Sequence, residues 1–319
     1  MPRGSPIQIS ETTSHETSQI TRGESAFSRH LKSLRGHRVY LEPLAGNNGD
    51  ALILLGMKHL LGKAGLRMVA RPEQAQHILI NGGGAMNDIW RAGLDVIARY
   101  RRRYPSLPVT VGPSSYRFNG IDFGAICDIS TAPLFLFARE RISGAIVRQE
   151  VPRPHVKVMV SPDLAFELAD SDFIRELSSN CNEQHVLIAM RKDIEGATKL
   201  LSRTRGTWLP QRLRRPLSRL RDRLTALKSR DVIGAILESA ALPRSMPRLY
   251  RDVSVSVSFV EFTEAIRNAA LIITDRLHIG ILGYLLEKRV VLRPGAYHKI
   301  RGVYELSMSG PNSRTTLIA

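Results

Sequence analysis

Leu271-Ile272-Ile273-Thr274-Asp275-Arg276-Leu277-His278-Ile279-Gly280-Ile281 is the stretch on which the fold assignment turns. The apolar run 271–273 reads as a buried parallel strand, and residues 281–287 read as a helix with one apolar face. Arg276 and His278 therefore fall at a strand-to-helix turn. In an open α/β sheet such turns lie at the carboxyl edge of the strands, where ligands bind. A fixed cation beside a titratable imidazole, at a helix N-terminus, suits an anionic ligand that needs a proton.

Working outward, strand-like runs alternate with helix-like ones from residue 37 onward. Runs at 37–41, 77–80, 108–111, 133–137 and 156–160 alternate with helical patterns at 50–63 and 88–103. A second round of strands starts at 185–190 and resumes at 253–258, 271–274 and 289–292. Such alternation predicts an α/β protein with parallel sheets covered by helices. The simplest arrangement is two Rossmann-like domains with a cleft between them, at 35–170 and 171–319, joined through the polar stretch 169–184. Residues 1–34 begin with a segment rich in Ser, Thr and Glu and read as a disordered lead-in.

The 319 residues carry a net charge of +17, which calls for acidic partners. Aromatic content is only 6%, without aromatic–basic interleaving, so a nucleic-acid partner is not expected. Cys127 and Cys181 stand far apart, which argues against a disulfide framework or a cysteine-rich metal site and fits a reducing cytoplasm. No apolar run is long enough to cross a bilayer, and the N-terminal segment lacks the apolar core of a signal peptide, so export is not expected. An insertion at 199–231 holds eleven Lys or Arg residues. Its Leu217, Leu220, Leu224 and Leu227 share a helical face, with Trp208 nearby. Two readings stay open there: a basic amphipathic helix on an anionic membrane surface, or a helix packed on its own protein.

Several loops could carry chemistry. Gly46-Asn47-Asn48-Gly49-Asp50 joins the first strand to its helix, where backbone amides favour phosphate or carboxylate. Its alternative is a structural turn in which Asp50 caps the helix. Asn81-Gly82-Gly83-Gly84 bares the backbone at the next strand end, either for a ligand or for tight packing. Arg191 directly follows the strand 185–190 and would face the same cleft. Arg139, Glu140 and Ser143 follow the strand 133–137 and could line the cleft or cap a helix. In Tyr297-His298-Lys299, the lysine offers a point charge to phosphate, while His298 reads as a surface histidine.

Together these motifs resemble the polysaccharide pyruvyl transferase family. The resemblance rests on Gly46-Asn47-Asn48-Gly49-Asp50-Ala51-Leu52-Ile53, Gly82-Gly83-Gly84, Val111-Gly112-Pro113, Ala138-Arg139-Glu140-Arg141-Ile142-Ser143, Ser161-Pro162-Asp163-Leu164-Ala165-Phe166, Asp275-Arg276-Leu277-His278 and residues 297–305, in family order. It implies two Rossmann-like domains, similar to the GT-B glycosyltransferases. It also implies transfer of pyruvate from phosphoenolpyruvate to two hydroxyls of a sugar, as a cyclic ketal, for exopolysaccharide or cell-surface glycan biosynthesis. Neither cofactor nor metal is implied. The acceptor would be a saccharide, in some relatives lipid-linked, and the protein cytoplasmic or peripheral at the inner membrane face. On this resemblance His278 is the candidate general acid, and Arg276 and Arg191 bind phosphate or carboxylate. Lys299 adds charge. Asn47, Asn48, Gly49, Asp50, Gly82, Gly83, Gly84 and Ser143 shape the cleft or meet substrate. The chain departs from the family pattern at Val111 and in Gly295-Ala296-Tyr297-His298 before Lys299. Two rivals remain: a GT-B glycosyltransferase using a nucleotide sugar, and a non-catalytic basic protein that binds polyanions.

Overall fold

The computed structural model describes residues 23–179, 181–191 and 231–318. The basic insertion, apart from residue 231, lies outside them. Two parallel sheets carry the architecture. The first has seven strands: β1 (Arg38–Glu42), β2 (Arg67–Met68), β3 (His77–Ile80), β4 (Gly83–Asn87), β5 (Val109–Arg117), β6 (Leu134–Ala138) and β7 (Val156–Val160), in the spatial order β2-β1-β3-β5-β6-β7 with β4 beside β5. The second has five: β8 (His185–Ala189), β9 (Arg248–Tyr250), β10 (Ala269–Thr274), β11 (Arg289–Leu292) and β12 (Thr315–Leu317), in the order β12-β11-β10-β8-β9. This is the two-sheet Rossmann-like arrangement anticipated above. Every residue of β3 and of β10 is buried. Central parallel strands are covered on both faces, and that is why their sequences are unbroken apolar runs.

Helix α2 (Asn48–Ala64) joins the two halves. Its Ile53, Met57 and Leu60 pack with Leu79 and Phe137 of the first sheet, whereas Leu52 packs with Leu187 and Ile272 in the second core. Ala165 and Leu168, from the short helix Leu164–Leu168, belong to that second core too. The core of the second half therefore reaches back across position 170.

Several elements differ from the expected ones. Residues 26–33, inside the lead-in, form a helix, α1 (Ala26–Ser33), capped by Ser25. Its Phe27 and Leu31 are buried, and Phe27 meets Phe137 edge-on at 4.9 Å between ring centroids. The glycine loop runs into strand β4, so helix α3 (Ala92–Arg103) starts later than residue 88. After helices α4 (Phe123–Cys127) and α5 (Arg141–Glu150), the connection 169–184 holds α6 (Asp172–Ser179), whose Ile174 and Leu177 join the second core. Residues 253–258 are not a strand but a turn with Ser256 at φ 60°; the strand of that region is β9. Helix α7 (Phe259–Arg267) leads into β10, and the helix after the decisive stretch, α8 (Leu277–Leu285), begins at Leu277 instead of 281. It is apolar nearly all round and correspondingly buried. No helix among the described residues is long and apolar enough to cross a membrane.

At the edge of the first sheet remote from the strands' carboxyl ends, the Thr110 hydroxyl is shared by His30 Nε2 at 2.8 Å and His77 Nε2 at 2.7 Å. Burial lowers both imidazoles, His30 to about 4 with help from Lys157, and His77 to about 3 with help from His30 and His37. Both are neutral in the fold, and their contribution to stability is complete above the unfolded value of 6.5. It is lost as pH falls from there toward 4 and 3, because the unfolded chain then binds more protons. The midpoint of thermal unfolding is expected to fall on acidification below 6.5, and His77→Gln, which keeps a neutral partner for Thr110, to flatten that slope. Parallel melting curves for the two proteins across this pH range decide it.

Candidate active site

The carboxyl ends of both sheets open on one cavity of about 400 Å³. Its lining comes from the loop after β1, the stretch from the end of β3 through β4 to the start of α3, the residue after β6, the residues after β8 and β10, and the segments after β9 and β11. Strand-end convergence of this kind is what open α/β sheets produce at a topological switch.

Asp163 anchors the floor. It follows β7, has no exposed surface, and its Oδ1 accepts the Ala165 amide at 2.9 Å. Its Oδ2 accepts Arg139 Nη1 at 2.7 Å and lies 3.4 Å from His278 Nε2. Arg139 follows β6, is 1% exposed, and donates from Nε to Ser115 Oγ at 2.9 Å. Burial alone would raise the Asp163 carboxyl; His278, Arg139 and the Ala165 amide outweigh it and hold the group well below the usual carboxylate range. The floor is thus a buried carboxylate with a guanidinium and an imidazole on the same oxygen.

His278 sits in the first turn of α8. Gly49, in the first turn of α2, packs closely against His278: a Cβ there would lie 2.5 Å from His278 Nδ1. Arg276 caps α8, and its amide donates to Thr274 Oγ1 at 2.9 Å. Its guanidinium is 5% exposed and makes a forked ion pair with Asp252, with Nε 2.9 Å from Oδ2. Asp275 Oδ1 accepts the Arg191 amide at 2.7 Å and so fixes the chain leaving β8. Burial raises the Asp275 carboxyl, against the pull of Arg191, Arg276 and Arg293. Lys299, at the start of helix α9 (Lys299–Val303), is buried with its ammonium 5.2 Å from the Tyr297 ring centroid.

The cavity brings together His278, Arg276, Arg191, Lys299, Asn47, Asp50, Gly82 and Gly84. Asn47 and Asp50 also form a capping box: Asn47 Oδ1 accepts the Gly49 amide at 2.8 Å and Asp50 Oδ2 accepts the Asn47 amide at 2.9 Å. Asn48, Gly49, Gly83 and Ser143 take supporting positions. Asn48 Nδ2 donates to the Val253 and Val257 carbonyls at 3.2 and 3.1 Å, clamping the loop that carries Asp252. The Gly83 amide donates to Ser114 Oγ, and Ser143 Oγ accepts the Tyr116 amide at 2.7 Å. His298, read from sequence as a surface residue, lies 3.2 Å from that hydroxyl and 3.4 Å from Glu140 Oε1.

From sequence alone Arg139 stays open between cleft and cap, and no role attaches to Asp163. Both directly follow or closely follow apolar strands, as Arg191 does, and that position was the available signal. Among the described residues no cluster of three or more His, Cys, Asp or Glu side chains is placed to hold a metal ion.

A model of the family described as polysaccharide pyruvyl transferase matches residues 47–293. The chain belongs to the polysaccharide pyruvyl transferase family. In this pyruvyl transferase family member the match begins at the Asn47 cap and takes in Arg139, Asp163, Arg191, Arg276 and His278. No curated relative matches the chain. A crystal structure of a functionally uncharacterised protein from Klebsiella pneumoniae subsp. pneumoniae NTUH-K2044 is similar, with a TM-score of 0.62 at 19% identity, over 92% of this chain and 97% of that one. A likeness at this identity concerns the fold.

Gly49→Ala drives a methyl into the His278 ring and is expected to cost about 1–3 kcal/mol. Gly62→Ala, on the same helix with nothing within 4 Å of the added carbon, is expected to stabilise by about 0.4–1 kcal/mol. Urea unfolding of the two variants measures both.

Proposed function

We propose that this chain transfers pyruvate from phosphoenolpyruvate to two hydroxyls of a saccharide and releases phosphate and a cyclic ketal. One observation carries the reading: His278, Arg139, Arg191, Arg276 and Lys299, drawn from strand ends of two sheets, line one cavity. Phosphoenolpyruvate bears a phosphate and a carboxylate close together, and cations from several directions suit an ester with two anionic groups. Family membership supports a pyruvyl donor and a polysaccharide acceptor.

In this reaction His278 gives a proton to the methylene carbon of phosphoenolpyruvate, making a methyl group and a cationic carbon at the former enol position. The first acceptor hydroxyl adds its oxygen there and gives up its proton. Phosphate then leaves by cleavage of its bond to that carbon, and the second hydroxyl adds in turn. Of the two hydroxyl protons released, one balances the proton placed on the methyl group and the other ends on phosphate. Arg276 and Arg191 hold the anionic groups, and the fixed pairing of Arg276 with Asp252 aims its guanidinium without reorganisation. Asp163 keeps the imidazole in place from beneath, and Asp50 is the candidate acceptor of a hydroxyl proton. The acceptor belongs to an exopolysaccharide or glycan precursor, and the protein works in the cytoplasm or at the inner membrane face.

His278→Ala is expected to lower turnover by about 10²–10⁴-fold, and to lower the unfolding midpoint as well because it takes a partner from the buried Asp163 carboxylate. Phosphate release and the mass gain of a pyruvyl ketal, measured with phosphoenolpyruvate and a panel of lipid-linked oligosaccharides, are the readouts. Unaltered turnover would remove the imidazole from the chemistry.

A further inference from the structure

The cavity is chemically two-sided. Arg191, Arg276, His278 and Lys299 come from the second half, with Arg139 beneath them. Leu44 and Ala45 after β1, Ala85 within β4, Trp90 after it and Ala92 at the start of α3 form an apolar section of the lining in the first half. Trp90 stands out within it. It lines the cavity and is 44% exposed, where a core indole would be covered. The turn that presents it is stiff. Asn87 is fully buried; its Oδ1 accepts the Ile89 and Trp90 amides at 2.9 and 2.8 Å, and its Nδ2 donates to the Gly84 carbonyl at 2.7 Å. Asp88 on the same turn pairs with Arg117 at 3.3 Å. A buried amide making three hydrogen bonds to hold one exposed indole in place is a preorganised presentation.

We propose that Trp90 is the stacking platform for the pyranose ring that receives the pyruvyl group. One face of a pyranose carries C–H groups with slight positive charge, which the negative face of an indole attracts, while the hydroxyls radiate from the ring edge. The alanines at 45, 85 and 92 leave room beside the indole, and Asn47 and Asp50 line the same cavity within the first half. The donor's anionic groups go to the cations and the neutral ring goes to the aromatic wall, so each substrate has its own side. This inference rests on the pyruvyl-transfer reading and adds an acceptor subsite to it.

The test uses the full chain carrying Trp208→Phe, which leaves Trp90 as its single tryptophan. Its emission is titrated with the methyl β-glycosides of glucose, galactose, mannose and N-acetylglucosamine, and separately phosphoenolpyruvate binding is measured by calorimetry. At least one glycoside is expected to give a saturable change in indole emission. In turnover with a competent acceptor, Trp90→Ala is expected to raise the acceptor KM about tenfold and leave phosphoenolpyruvate affinity unchanged, with Trp90→Phe restoring most of it. Phosphoenolpyruvate binding with no glycoside response overturns the subsite, as does a Trp90→Ala variant weakened equally toward both substrates. A glycoside response in a protein that does not bind phosphoenolpyruvate supports the subsite and overturns the donor assignment instead.

Discussion

A carboxylate without exposed surface stays charged only if its surroundings replace water. At Asp163 they do so with one guanidinium, one imidazole and one backbone amide. Stripping an ion of its hydration costs several kcal/mol, and a partnered geometry of this quality is what offsets it. The consequence is positional. Arg139 at the end of β6, Asp163 beyond β7 and His278 at the start of α8 are tied to one oxygen atom, so the edge of the first sheet and the first turn of a second-half helix are fixed relative to each other. The cavity rests on that tie.

The other cations are handled in the same way. Arg276 is gripped by Asp252, and Asp252 sits on a loop that Asn48 holds through two carbonyls. Arg191 leaves its strand through an amide that Asp275 accepts. Arg139 and Arg276 are thus each aimed by an acid, and Arg191 by the fixing of its backbone. Such a site pays its ordering cost during folding, which is the condition for electrostatic stabilisation of charge that develops during a reaction.

Much of this arrangement was readable from the sequence, for physical reasons. Strands β3 and β10 are buried on both faces, so they appear as uninterrupted apolar runs, and the polar residues that follow them mark the carboxyl edge directly. Other parts were hidden. Helix α1 offers only Phe27 and Leu31 as buried anchors within a polar terminus. The alternation of Val253, Val255 and Val257 imitates a strand, yet the backbone turns at Ser256, while the true edge strand β9 reads Arg-Leu-Tyr with one partly covered residue. The pairing of Arg139 with Asp163 joins segments 24 residues apart, and no local pattern announces it. Trp90 fell where a helix was expected, and only the turn built by Asn87 reveals its exposure.

Helix α2 has a further consequence. Its Leu52 is part of the second core and its Ile53 and Met57 part of the first, and Ala165 and Leu168 cross the same boundary in the same direction as Leu52. The second half therefore completes its largest apolar core with residues of the first. Severing the chain at position 170 would uncover Leu52, Ala165 and Leu168 on one fragment and open the core they fill on the other, a coupling that favours the two halves unfolding together.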